Sequence, residues 1–131
     1  MREFVLIGLG AIFGANLRYW VANVFAQRFG LDFPYGTLFI NISGSFVLGF
    51  ILTVIGNRLV SDPGYRLLLG TGFLGAYTTF STFSYEAVAL LRDGEWTRAG
   101  FYVAASVLLS IAGTFLGFGL AREITAWRGR I

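Results

Sequence analysis

The fold class this sequence predicts is an all-α membrane protein with four transmembrane helices per subunit, and three observations predict it. The chain has 131 residues, of which 56% are hydrophobic and 13% charged, whereas soluble domains carry about 25% charged residues. Four apolar segments follow one another at residues 4–26, 38–55, 67–91 and 100–121, each within the roughly 17–25 residues that a span requires. The connections between them are short and polar, so neighbouring helices read as antiparallel hairpins. Residues 1–131 then form a single four-helix transmembrane domain.

The first segment has the apolar core of a signal peptide, but Arg18 follows that core and the pattern runs on through Tyr19-Trp20-Val21. It is read as a retained span. Gly10 and Gly14 on this segment, Ser45 and Gly49 on the second, and Gly113 and Gly117 on the fourth are small residues four apart. Such pairs let helix backbones approach closely in a bilayer. The run Gly8-Leu9-Gly10-Ala11-Ile12-Phe13-Gly14 has dinucleotide-loop spacing, but no strand precedes it and it lies inside a span, so that reading fails.

The second segment contains Asn41, whose amide offers two N–H donors. These suit either an anion or an interhelical bond. In the third segment Gly70, Gly72 and Gly75 precede Thr78 and Thr79, more glycine than a long helix favours at about 1 kcal/mol each relative to Ala. Two structures fit this spacing: an unbroken helix packed closely through its glycines, or a break near residues 75–79 that frees carbonyl oxygens for a dehydrated cation.

The run Gly75-Ala76-Tyr77-Thr78-Thr79-Phe80-Ser81-Thr82-Phe83-Ser84-Tyr85-Glu86 holds five serine and threonine hydroxyls in an apolar setting. A hydroxyl in hydrocarbon is costly without a partner, so these face another helix or a hydrated path. Phe80 and Phe83 lie three apart, on one helical face. Glu86 lies only five residues before the end of its segment and is expected to be partly solvated, bonded to arginine or backbone; with no second deep carboxylate, proton antiport is weakly supported. In the fourth segment Tyr102, Ser106, Ser110 and Thr114 recur every four residues and wind slowly along the span. Each hydroxyl can bond back to its own helix, but four in register favour a shared polar track.

The chain lacks Cys and His, which excludes thiolate nucleophiles, Ser-His triads and imidazole or thiolate metal sites; no enzyme is expected. The net charge of +3 comes from arginine alone, there being no lysine. No basic stripe supports nucleic-acid binding, and loop arginines suit anionic headgroups of a lipid bilayer. The spans carry no lysine and no arginine at mid-depth. Arg2, Arg58, Arg66, Arg122, Arg128 and Arg130 fall on one side of the membrane, and Arg18, Arg28, Arg92 and Arg98 on the other. That bias is weak, leaving a single orientation and insertion in both orientations as alternatives.

Three stretches together resemble the CrcB/Fluc family of fluoride channels: residues 10–19, with Gly14-Ala15-Asn16-Leu17-Arg18-Tyr19; residues 35–41, with Tyr35-Gly36-Thr37; and above all residues 71–86, Thr71-Gly72-Phe73-Leu74 followed by the run quoted above. The resemblance spans essentially the whole chain. Ala76-Tyr77 stands where members often have Gly and a smaller apolar residue. The resemblance implies an antiparallel, dual-topology homodimer with a broken third helix, two fluoride pores and a place in the cell membrane as a multi-pass protein. Asn41, Phe80 and Phe83 match the family's pore residues. Ser81, Thr82, Tyr102, Ser106, Ser110 and Thr114 match its polar lining, and Arg18 a vestibule arginine. The carbonyls of Gly75 and Thr78, two from each subunit, match the ligands of one structural Na⁺ at the dimer centre.

Fluoride is small and strongly hydrated, so a dry pore must replace its water with donors. Amide N–H, hydroxyl O–H and phenyl edges are such donors, and a fixed cation in the pore would bind the ion too tightly for release. Two other functions fit four short spans. A small multidrug resistance exporter of organic cations needs a glutamate within the first helix, where this chain has only Glu3 at the very start. A non-transporting scaffold would use every polar stripe as helix–helix glue.

Overall fold

The computed structural model describes residues 1–56 and 62–128, and they are helical throughout apart from short connections. Arg58 and Arg130, counted in the charge bias, lie outside the described residues. The helices are α1 (Arg2–Phe29), α2 (Tyr35–Gly56), α3 (a π-helical stretch, Arg66–Leu74, and one α-helical turn, Gly75–Tyr77), α4 (Phe80–Arg92) and α5 (Trp96–Arg128). Three of them, α1, α2 and α5, are long and apolar enough to cross a membrane. Large side chains such as Phe13, Trp20, Phe101 and Phe115 stand exposed on α1 and α5, as expected of helices that are apolar all round.

The third apolar segment is not one helix. Its first half is wound wide, so that the Gly75 N–H reaches the carbonyl of Gly70, five residues back, as well as that of Gly72. Helical geometry then stops at two extended residues, Thr78 (ψ 160°) and Thr79 (φ −153°, ψ 124°). The chain restarts at Phe80, where the Thr79 hydroxyl accepts the Thr82 N–H and caps α4, replacing one of the orphan donors of a helix start.

Glycines let the helix backbones approach closely. A Cβ on Gly14 would collide with the Phe73 carbonyl of α3, and one on Gly117 with the Phe46 carbonyl of α2. Small residues thus seat α1 against α3 and α2 against α5, the close approach expected of small-residue pairs. Two apolar clusters complete the packing. Val21, Ile40, Leu74 and Tyr77 join α1, α2 and α3. Phe33, Phe83, Ala87, Leu90, Ala99 and Tyr102 join the α1–α2 loop to α4 and α5.

Candidate functional site

The break between α3 and α4 is tied to α2 by one side chain. Asn41 Nδ2 donates to the Thr79 carbonyl at 2.9 Å and Asn41 Oδ1 accepts the Thr79 N–H at 2.8 Å. The amide therefore makes the interhelical bond and still retains one N–H, without a partner among the described residues. The two readings of Asn41 are compatible, because one amide has enough donors for both.

That second N–H belongs to a residue lining a groove of about 320 Å³ between α2, the break, α4 and α5. Asn41, Phe80, Phe83, Ser106 and Ser110 all line it, and no charged residue does. Ser106 is 6% exposed. Its Oγ and that of Ser110 are buried, with no hydrogen-bond partner among the described residues. Orphaned buried hydroxyls are uncommon because each forfeits its hydration. Two of them one turn apart, facing a groove, mark a place for an outside acceptor. Phe83 packs into the core with its ring centroid 5.2 Å from that of Tyr102, whereas Phe80, 5.6 Å from Phe83, is 78% exposed.

Thr78 lines the groove too, whereas Ser81, Thr82, Tyr102 and Thr114 are not among its lining residues. Ser81 and Thr82 are exposed on α4, their hydroxyls within 3.4 and 3.0 Å of the Thr79 hydroxyl. Thr114 bonds back to the Ser110 carbonyl at 3.0 Å and approaches that of Ser45 at 3.4 Å, so this member of the stripe is satisfied by backbone. Tyr102 is fully buried and donates to Glu86 at 2.7 Å. The second Glu86 oxygen accepts the Thr37 hydroxyl at 2.9 Å. Glu86 is thus held by two hydroxyls, where arginine or backbone was expected. The reason is register: Thr37 and Tyr102 sit on the faces of α2 and α5 turned toward α4, a juxtaposition that residues 49 and 16 positions away do not reveal in a linear reading.

Beyond Glu86 a cavity of about 580 Å³ opens between the α1–α2 and α4–α5 loops. Asp32, Asp93, Glu95 and Arg98 line it together with Thr37 and Glu86, so this mouth is predominantly acidic.

Arg18, half-buried on α1, brings Nη1 to 3.5 Å from the Thr78 carbonyl, so a guanidinium reaches the break. The contact is long for a hydrogen bond. The snorkelling expected of a long side chain here runs toward freed carbonyl oxygen.

The break also releases carbonyls. In a continuous helix the Thr79 N–H would bond Gly75 and the Thr82 N–H would bond Thr78. Instead they donate to Asn41 Oδ1 and to the Thr79 hydroxyl. Gly75 is exposed. Unpaired carbonyl oxygens at a helix break are hard, neutral donors, the chemistry a small alkali cation selects. The residues therefore fit such an ion, with Arg18 the one competitor for Thr78. Among the described residues no cluster of acidic side chains offers an alternative metal site.

Residues 5–118 match the model of the family described as CrcB-like protein, Camphor Resistance (CrcB). The chain belongs to the CrcB family. A relative from Roseiflexus sp. is 50% identical over 93% of this chain and 98% of its own. One from Chloroflexus aurantiacus is 46% identical over 93% and 97%, and one from Aquifex aeolicus 42% identical over 90% and 95%. All three carry the name fluoride-specific ion channel FluC. As a CrcB family member with three helices able to span a bilayer, the chain is a multi-pass protein of the cell membrane.

Sequence reasoning missed three residues at this site. Thr79 caps α4 and is the residue that Asn41 grips, Thr37 completes the Glu86 cluster, and Ser45 lines the groove. Thr79 was the most accessible of the three, since Thr is a favoured N-cap residue where a helix restarts.

Proposed function

We propose that this protein is a fluoride-selective channel through which F⁻ leaves the cytoplasm passively, protecting the cell from fluoride. The observation that carries the reading is the pair of unpartnered, buried hydroxyls of Ser106 and Ser110 beside Asn41, Phe80 and Phe83. These groups are all donors or positive ring edges, with no fixed charge among them, which favours an anion that must both enter and leave. The names of the relatives supply the ion. HF crosses membranes uncharged and ionises near neutral pH, so a negative-inside potential expels F⁻ at about 2.3 kcal/mol per 100 mV. This needs no catalytic step, and the protein is not an enzyme.

The finer architecture is proposed with it. α3 and α4 together make a fourth, interrupted span, since neither half has the length of a bilayer crossing. Ser81, Thr82 and Phe80 lie on an exposed face of α4, where hydrocarbon would leave hydroxyls unsatisfied. A second, antiparallel copy of the chain covers that face, so that Phe80, Ser81 and Thr82 border a pore completed by the partner. One structural Na⁺ would be held by the Gly75 and Thr78 carbonyls of the two copies. Bound there, it would offset the negative ends of carbonyl dipoles whose helical N–H partners the break diverts. The residues' own part is to hold those carbonyls out of helical pairing, and Asn41 does so. Replacing sodium by a large organic cation should lower the protein's thermal stability and its flux, while Thr78→Ser, which keeps the carbonyl, is tolerated.

The test is fluoride efflux from liposomes containing the purified protein, with valinomycin and K⁺ clamping the potential. Rapid F⁻ release with Cl⁻ retained is the expected result. Equal release of both ions, or of neither, would overturn the reading.

A further inference from the structure

We infer that Tyr77 and Ser43 form a positioning pair that fixes the rotation of the helix break against α2. Tyr77 is the last helical residue of α3 and is 7% exposed. Its hydroxyl lies 3.1 Å from Ser43 Oγ. Ser43 already donates its proton to the Phe39 carbonyl at 2.7 Å, so Tyr77 is the donor in the pair. The tyrosine ring lies parallel to that of Phe73 one turn earlier, at 6.3 Å and 3°. It also packs against α2 at Gly44, where a Cβ would stand 3.1 Å from ring carbon Cδ1.

The geometry has two fixed points. Asn41 grips Thr79 within the break, and Ser43 grips Tyr77 just before it. Both pairs are two residues apart on their own segments. A single tie holds a segment in place but lets it pivot, whereas two ties along its length also fix its rotation. Tyr77 and Thr79 flank Thr78, whose carbonyl and side chain sit between the ties, and Phe80 follows directly into the groove. Rotation about the Asn41 tie would swing Thr78 and Phe80 together and change the width of the groove. The Tyr77 hydroxyl acts through Ser43 and touches no part of the groove lining, so its role is positioning. The function rests on reading the groove as an anion path, while the pairing itself does not.

Tyr77→Phe and Ser43→Ala, singly and together, test it in the full chain reconstituted in lipid nanodiscs. Two quantities are read: hydrogen exchange of the Thr79 amide, whose N–H lies in the Asn41 tie, and the F⁻/Cl⁻ permeability ratio. Each single change should speed Thr79 exchange about fivefold, the scale of one hydrogen bond, and lower the permeability ratio. The double variant should match the singles, because both remove the same bond. Parental exchange in Tyr77→Phe, or a double variant whose effect is the product of the singles, would overturn the pairing. If Tyr77→Phe fails to assemble, Ser43→Ala, which leaves the Phe73 stack intact, decides by the same exchange rate. Faster exchange with no F⁻ conduction in the parent would uphold the pairing and reject the anion path.

Discussion

The groove beside Ser106 and the cluster around Glu86 are neighbouring layers of the same helices, and they use the same chemistry in opposite ways. Thr37 and Asn41 are one turn apart on α2, as are Tyr102 and Ser106 on α5. In the outer layer the Thr37 and Tyr102 hydroxyls both donate to one carboxylate, Glu86. In the inner layer Ser106, Ser110 and the spare Asn41 N–H have no protein acceptor among the described residues. The chain fills the outer layer with its own carboxyl group and leaves the donors of the inner layer without one. Buried donors without an acceptor are costly, so a fold that keeps them has a use for them.

Asn41→Asp should break this contrast most severely. A carboxylate has no N–H for the Thr79 carbonyl, and it sets a negative charge where the anion would pass. The lost bond to the Thr79 carbonyl and that charge should together cut F⁻ efflux by about 100-fold or more; flux within threefold of the parent would show that Asn41 neither clamps the break nor borders the path. Next in size, Phe80→Ile and Phe83→Ile keep bulk but remove the positive ring edge, and each should lower flux about tenfold while size-exclusion chromatography shows an unchanged assembly. Normal conduction in both variants would make these rings mere packing.

Ser106→Ala and Tyr102→Phe sharpen the contrast because one measurement should separate them. Ser106→Ala removes a hydroxyl that has no bond to lose, so efflux should fall about fivefold with thermal stability unchanged or slightly raised. Tyr102→Phe removes an occupied donor and should cost about 1 kcal/mol of stability. If the two variants lose stability equally, the division into free and occupied donors fails.

The smallest effect lies outside the membrane. The Gly64 N–H, first, and the Arg2 side chain, second, hold the Asp62 carboxyl below the usual carboxylate range. A depressed carboxyl stabilises the fold above its unfolded pKa, and that contribution fades as pH falls through the folded value, below about pH 4. The Asp62 side chain is 44% exposed and solvent-screened, so Asp62→Asn should flatten only a slight acid-side decline in a melting series.

Much of this was legible in the sequence. The apolar segments fixed the long helices, and the small-residue pairs Gly10/Gly14 and Gly113/Gly117 foretold close backbone contacts that the structure contains. Glycine and hydroxyl density around residues 70–79 pointed to a break, but spacing alone weighed it evenly against a continuous helix. What decides for a break is Asn41, 38 residues away, a partner that local pattern does not reveal. The π-helical winding of residues 66–74 has no signature in the apolar pattern; the stretch packs tightly on α1 at Gly10, Gly14 and Gly72. The four-residue stripe on α5 was correctly seen as polar, but its members meet different fates: Tyr102 serves Glu86, Thr114 bonds to backbone, and only Ser106 and Ser110 remain free. Periodicity places side chains on a face; it does not say what stands opposite.

The central claim, that the inner layer passes fluoride by simple electrodiffusion, is tested most directly by the reversal potential of the reconstituted protein. A planar bilayer with a tenfold F⁻ gradient and symmetrical Cl⁻ is sufficient. The account predicts reversal at the fluoride equilibrium potential, about 59 mV from zero by the same RT ln 10 that makes about 1.4 kcal/mol a factor of ten. Reversal near zero, where chloride sits, would contradict it.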